Sequence, residues 1–169
     1  VVGAFSLSDD DLAAIADGFN SITIGRFDGA NNIFVETSDF SDPVRIQSPV
    51  GGTISITGSI VSTATTAEAM AAGTSFAGDL DENNNPILVD GFGLGVPGMV
   101  PPSGNGAGVL IFGSQSTTEL VGVTIETDDT PIQFTDTVNV LLSSTLDTTG
   151  GDGIGGSDII FNNPVNSDA

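Results

Sequence analysis

Two apolar residues spaced two apart, followed four positions later by a third, recur along the chain. The pattern reads Val44-Arg-Ile46-Gln-Ser-Pro-Val50, Ile54-Ser-Ile56-Thr-Gly-Ser-Ile60, Ile132-Gln-Phe134-Thr-Asp-Thr-Val138, Val140-Leu-Leu142-Ser-Ser-Thr-Leu146 and Ile159-Ile-Phe161-Asn-Asn-Pro-Val165. Residues two apart share one face of a strand. The third apolar residue lies past a short polar corner, where it re-enters the same interior on the next strand. Ile132, Phe134 and Val138 map onto Ile159, Phe161 and Val165 at one constant offset of 27. That offset is in the range of stacked repeats, in which each turn of chain buries its inward residues against its neighbours. The pattern predicts an all-β chain wound as a right-handed parallel β-helix, with a β-sandwich as the alternative. Ile132, Phe134, Ile159 and Phe161 should point inward, the two Phe rings stacked in register.

Further strands are expected at Ile22-Thr-Ile24, Ile33-Phe-Val35, Ile87-Leu-Val89, Val109-Leu-Ile111-Phe, Leu120-Val and Val123-Thr-Ile125. The segment Ser8 to Phe19 breaks the pattern. Ser8 can cap a helix there, Asp11 completes a capping box, and Asp9 to Asp11 suit the positive end of the helix dipole. Leu12, Ile15 and Phe19 form its apolar stripe. This predicts one short N-terminal helix, with 1–20 as a capping region at an end or flank of a single β-solenoid domain over 1–169. The Gly- and Pro-rich stretch 91–108 has little structure of its own. Its apolar residues Phe92, Leu94, Val96, Met99 and Val100 suggest a loop insertion that covers the fold or meets another molecule.

Composition agrees with strands and narrows the chemistry. Phe is the only aromatic residue, so the core must be built from Ile, Val and Leu, which favour strands. The charge is −20, from 22 acidic residues against Arg26 and Arg45 alone. Such a surface repels phosphate backbones and anionic lipid heads, which argues against nucleic-acid and membrane partners. It suits a salt-adapted or secreted protein, with the two arginines as ion-pair partners on the acidic surface. No apolar run approaches the ~20 residues needed for a membrane span. The chain opens on Val1 with no basic leader, as a processed product or an excerpt of something longer would. His, Cys, Lys, Tyr and Trp are all missing, which removes the usual bases and nucleophiles. The chain therefore reads as a non-enzyme.

A cation site is the one chemical candidate. Asp79, Asp81, Asn83 and Asp90 stand at positions 1, 3, 5 and 12 of an oxygen-rich loop, the spacing that wraps Ca²⁺. Asn84 replaces the usual turn glycine and the bidentate Glu is missing, so an ordinary acidic loop is the competing reading. The run Gly150-Gly-Asp152-Gly-Ile-Gly-Gly-Ser-Asp158 has the flavour of Gly/Asp-rich calcium repeats, but one copy lacks the stacked turns that complete such a shell. It reads rather as a flexible loop.

Several runs carry a family resemblance. Leu7-Ser-Asp-Asp-Asp-Leu12-Ala-Ala-Ile15 with Ile22-Thr-Ile24-Gly-Arg26-Phe-Asp-Gly29, then Phe40-Ser-Asp-Pro-Val44-Arg-Ile46-Gln-Ser-Pro, resembles filamentous-haemagglutinin-like repeat regions of large secreted bacterial surface proteins, cyanobacterial ones in particular. Thr145-Leu-Asp-Thr-Thr149 with Asp158-Ile-Ile-Phe-Asn-Asn-Pro-Val165 is similar to a later part of those regions. The resemblance spans 5–60 and 109–168 and lapses over 61–108. It implies a right-handed parallel β-helix, a structural or adhesive role at the cell surface, and no catalytic residues.

Two functional readings follow. The first is a structural module of a secreted cell-surface or filament protein that self-associates or continues into a longer chain through its strand edges. The second is an adhesin recognising carbohydrate or an ice-like surface through threonines, among them Thr63, Thr65, Thr66, Thr117, Thr118, Thr124 and Thr127. These do not form a regular Thr-x-Thr ladder in the sequence, which weakens the ice reading.

Overall fold

The computed structural model describes residues 7–15, 17–19, 21–26, 32–48, 51–64, 110–113, 116–150 and 155–167. Among the described residues one helix, α1 (Asp9–Ala13), precedes fourteen short strands. These are β1 (Ile22–Gly25), β2 (Ile33–Val35), β3 (Ser38–Phe40), β4 (Val44–Gln47), β5 (Thr53–Ile56), β6 (Ile60–Ser62) and β7 (Leu110–Phe112). They continue as β8 (Thr117–Val121), β9 (Thr124–Thr127), β10 (Ile132–Phe134), β11 (Thr137–Leu142), β12 (Thr145–Asp147), β13 (Ile159–Phe161) and β14 (Val165–Ser167).

The strands are dealt in rotation to three sheets. The first sheet has the order β1-β4-β7-β10-β13, the second β2-β5-β8-β11-β14, and the third β3-β6-β9-β12. Three consecutive strands thus form one tier, and each tier lies on the one before. Every pairing between the described strands is parallel. The antiparallel hairpins from which a β-sandwich is made are not found among them.

The apolar pattern explains this pairing. Ile54 and Ile56 lie inward on β5 and Ile60 inward on β6, all fully buried. Val44, Ile46, Ile132 and Phe134 fill the inner rows of the first sheet; Leu120, Val138, Phe40 and Ile125 join them from the other two in one contiguous core. Burying such a side chain completely contributes roughly 1.5–3 kcal/mol. The expected register is observed residue for residue: Ile132 pairs Ile159, Phe134 pairs Phe161 and Val138 pairs Val165. The two Phe rings stack with centroids 5.1 Å apart and planes 6° apart.

The offset of 27 belongs only to this last step. Ile22 to Val44 and Leu110 to Ile132 are steps of 22. Val44 pairs directly with Leu110, a step of 66, so 44 additional residues enter between β6 and β7 without breaking any sheet. The 91–108 stretch and the expected strand Ile87-Leu-Val89 lie in that interval, outside the described residues.

Four expectations need correction. Ile159 and Phe161 are in register but on the outermost tier, so each is 39 % exposed and not fully buried. At the end of β11 the register shifts between Val140 and Leu142. Such a bulge turns side chains out of the core, and Leu142 is 59 % exposed, although Val140 and Leu146 still pack on the core. The helix is five residues long, not the twelve of Ser8 to Phe19. Its start is as expected: the Ser8 hydroxyl accepts from the Asp11 N–H, and the Asp11 carboxylate accepts from the Ser8 N–H. A helix this short has little stability of its own. A tertiary bond takes the following segment instead, the Gly18 N–H donating to the buried Asp42 carboxylate at 3.0 Å. Leu12 packs on the core, but Phe19 is left exposed. Finally, Arg45 is no surface residue: it is 1 % exposed. All four residues of β4 and all three of β10 are buried, so the first sheet is shielded on its outward side at these strands as well.

Candidate interaction surfaces

The predicted Ca²⁺ ligands Asp79, Asp81, Asn83 and Asp90 all lie outside the described residues. Among the described residues no three His, Cys, Asp or Glu side chains gather closely enough to hold a metal ion. Two acidic residues near the Gly150–Asp158 loop accept local hydrogen bonds. The Asp129 carboxylate accepts from the Gly156 N–H of the next tier at 2.6 Å. The Asp147 carboxylate accepts from the Thr149 hydroxyl at 2.7 Å and its N–H at 2.8 Å, and these bonds hold its pKa below the usual value.

Besides Asp42, a second acidic residue among the described ones is buried, at a corner between strands. Asp136, 3 % exposed, follows β10 at the corner leading to β11. Its carboxylate accepts from the Ser116 hydroxyl at 2.7 Å and the Thr118 hydroxyl at 2.9 Å. Thr118 occupies an inner-row position between Ile54 and Val138, so this bond satisfies a hydroxyl within the core. Burial raises the Asp136 pKa, and the bonds to Ser116 and Thr118 only partly offset it. A carboxyl raised in the fold stabilises it fully below its unfolded pKa of 3.8, and that contribution is lost as the pH rises through the folded value. Asp11 and Asp147 have lowered values and act in the opposite sense, but both are solvent-exposed and screened. Acidifying from neutral towards 3.8 should therefore raise the melting temperature. Asp136→Asn should reduce that rise, leaving only the part due to relief of general charge repulsion. Equal slopes for the two proteins in melts across this range would show that Asp136 carries none of it.

The three sheets differ in what they show to solvent. The first is shielded at Arg45 and Gln133. The third carries acidic groups outward, Asp39, Glu126 and Asp147 standing at one register position. The second is mixed in character, exposed at Phe34 and buried at Ser55. One outward row runs across it as Thr53, Thr117 and Thr137. The neighbouring outward row runs Phe34, Ser55, Glu119, Asn139 and Asn166. Asn166 donates to the Asn139 side-chain oxygen at 3.1 Å. Phe34 is 74 % exposed, while Ser55 beside it is only 8 % exposed.

Of the threonines singled out in the sequence, Thr117 belongs to this ladder. Thr118 and Thr127 are buried, and Thr124 pairs with Thr145 on the third sheet. Thr65 and Thr66 lie outside the described residues. The ladder escaped the sequence because its members are 64 and then 20 residues apart. Phe34 could have been read from alternation alone, since Ile33 and Val35 on either side of it face the core.

The outermost tier forms a second surface. β13 and β14 are edge strands, and Ile159, Phe161 and Val165 on them are 39 %, 39 % and 48 % exposed. At the opposite end α1 packs against the edge strand β3. Between them Leu12, Ala13 and Ile15 line a groove of about 440 Å³ with Ile22, Phe40 and Asp42.

Comparison with known proteins adds no identification: no family model, no curated protein and no solved structure matches this chain. No helix among the described residues is long and apolar enough to cross a membrane.

Proposed function

We propose that the chain is a structural module of a secreted cell-surface or extracellular filament protein, a right-handed parallel β-helix that extends by adding strands at its edges. The three parallel sheets would be the faces of that helix, and each tier one of its coils. Right-handedness follows from the strong preference of crossovers between parallel strands. The observation that carries the reading is the outermost tier. It offers the edges of β13 and β14 together with the half-exposed Ile159, Phe161 and Val165. An edge of this kind templates further pairing. Either a second copy or further coils of a longer polypeptide would cover it. The motifs that resemble filamentous-haemagglutinin-like repeats, and an acidic chain without Lys or Cys, support a secreted setting.

Sedimentation velocity over a wide concentration range tests the edge. Association that strengthens with concentration, and that Phe161→Asp removes, is the expected result. A monomer at all concentrations, with slow amide exchange from Ile159 to Val165, would mean that the edge is self-sufficient, and assembly through it should then be abandoned.

A further inference from the structure

We propose that the outward face of the second sheet is a binding platform for an uncharged, β-linked polysaccharide, centred on Phe34. The row runs from Phe34 on the edge strand β2 to Asn166 on the edge strand β14.

The site is a row of outward side chains. Phe34, Ser55 and Glu119 are successive members of it across three paired strands. Neighbouring strands lie about 4.8 Å apart, so the backbones carrying Phe34 and Glu119 stand roughly 10 Å apart, with the small, buried Ser55 between them. Phe34 has the most exposed ring among the described residues. Glu119 is half-buried. The hydroxyls of Thr53 and Thr117 run alongside in the next row. Further on, Asn139 and Asn166 extend the polar row to about 19 Å in total. An aromatic face, a carboxylate acceptor and side chains that both donate and accept are the groups that hold a sugar ring. The ring's C–H face packs on the aromatic side chain while its hydroxyls bond to the polar groups.

Charge and shape select the class of glycan. A chain of net charge −20 with Glu119 in the row disfavours uronic acids and sulfated sugars. Equatorial β-linkages keep successive rings in an extended ribbon, which matches an extended row of side chains across a parallel sheet. A coiled α-linked glucan would not lie along it. The alternative occupant of an exposed Phe is another protein. A continuous apolar patch would favour that, but here Phe34 is followed by Ser55, Glu119 and two asparagines.

Affinity electrophoresis of the folded chain through gels containing hydroxyethyl cellulose, with calorimetry on cello-oligosaccharides from the disaccharide to the hexasaccharide, tests the site. Retardation by the neutral polymer is expected, weaker retardation by carboxymethyl cellulose, and affinity that grows with oligosaccharide length. Phe34→Ala should weaken binding at least about tenfold, the loss typical of a truncated anchoring aromatic. Phe34→Tyr should retain binding. Because Phe34 is exposed, the melting temperature of Phe34→Ala should stay close to that of the parent, which separates loss of the site from loss of the fold. Glu119→Gln should narrow the gap between the neutral and carboxymethylated polymers. Three results would overturn the proposal: no retardation of the parent chain, binding indifferent to Phe34→Ala, or a Phe34→Ala change in self-association with no glycan binding at all.

Discussion

Phe134→Ala should destabilise the fold by about 3–5 kcal/mol, the range for a large aromatic removed from a closed core. Phe161→Ala should cost clearly less. The two residues share one register position and one stacking contact, and they differ only in what lies beyond them. Phe134 is 0 % exposed, with the strand carrying Phe112 on one side and Phe161 on the other. Truncating it opens a cavity that both neighbouring strands border, and their hydrogen-bonded spacing keeps them from closing it. Phe161 has its outer side in solvent, so truncation forfeits one stacked face and leaves a surface dent. A stacked aromatic pair adds about 0.5–1.5 kcal/mol beyond area burial, and that share is common to both variants. Chemical denaturation of the two variants measures the difference. Equal losses would mean that the outermost tier is as well covered as an interior one, through association. Repeating the pair at high dilution would then restore the gap.

This asymmetry also shows what the sequence can and cannot display. The pairing of Ile132 with Ile159 and Phe134 with Phe161 is written in the chain, because both tiers repeat the same three apolar positions at one spacing. What the repeat does not carry is how much of each copy is covered: Phe161 reads as inward as Phe134, yet it is 39 % exposed. That strands follow one another across short corners was legible from the spacing at Ile54, Ile56 and Ile60; their division among three sheets was not. The usual step of 22 residues was not, because the 44 additional residues between β6 and β7 hide it in the middle of the chain. The second-sheet platform was the least legible feature. Thr53, Thr117 and Thr137, like Phe34, Ser55 and Glu119, become neighbours only through pairing between tiers, and no local window contains them. Arg45 misled for a related reason. A lone cation in an acidic chain reads as a surface ion-pair partner, and only the shielded outward side of the first sheet reveals that it is buried.

The other large effect is expected at a glycine. Gly113→Ala should cost about 3 kcal/mol or more, although it adds a single methyl group. Gly113 has φ +94°, a backbone conformation that an L-residue adopts only under strain of order 1–3 kcal/mol. A Cβ built there would collide with Asp136 Cγ and come within 2.5 and 2.7 Å of its two oxygens. No rotation relieves this, since Asp136 is buried and its carboxylate is held by Ser116 and Thr118. The carboxylate must leave, and the Thr118 hydroxyl then stays in the core without its acceptor, at about 1–3 kcal/mol. The two variants should therefore be strongly non-additive. Asp136→Ala alone loses the same hydrogen bonds but makes room for the methyl group. Adding Gly113→Ala to it should cost only the backbone strain. A double-mutant cycle by denaturation checks this, and the melts at several pH values give an independent reading: Gly113→Ala, by expelling Asp136 into water, should flatten the acid-side rise in melting temperature as Asp136→Asn does. A fully additive cycle with an unchanged pH slope would show that the corner yields elsewhere, and that Gly113 is selected for its backbone angle alone.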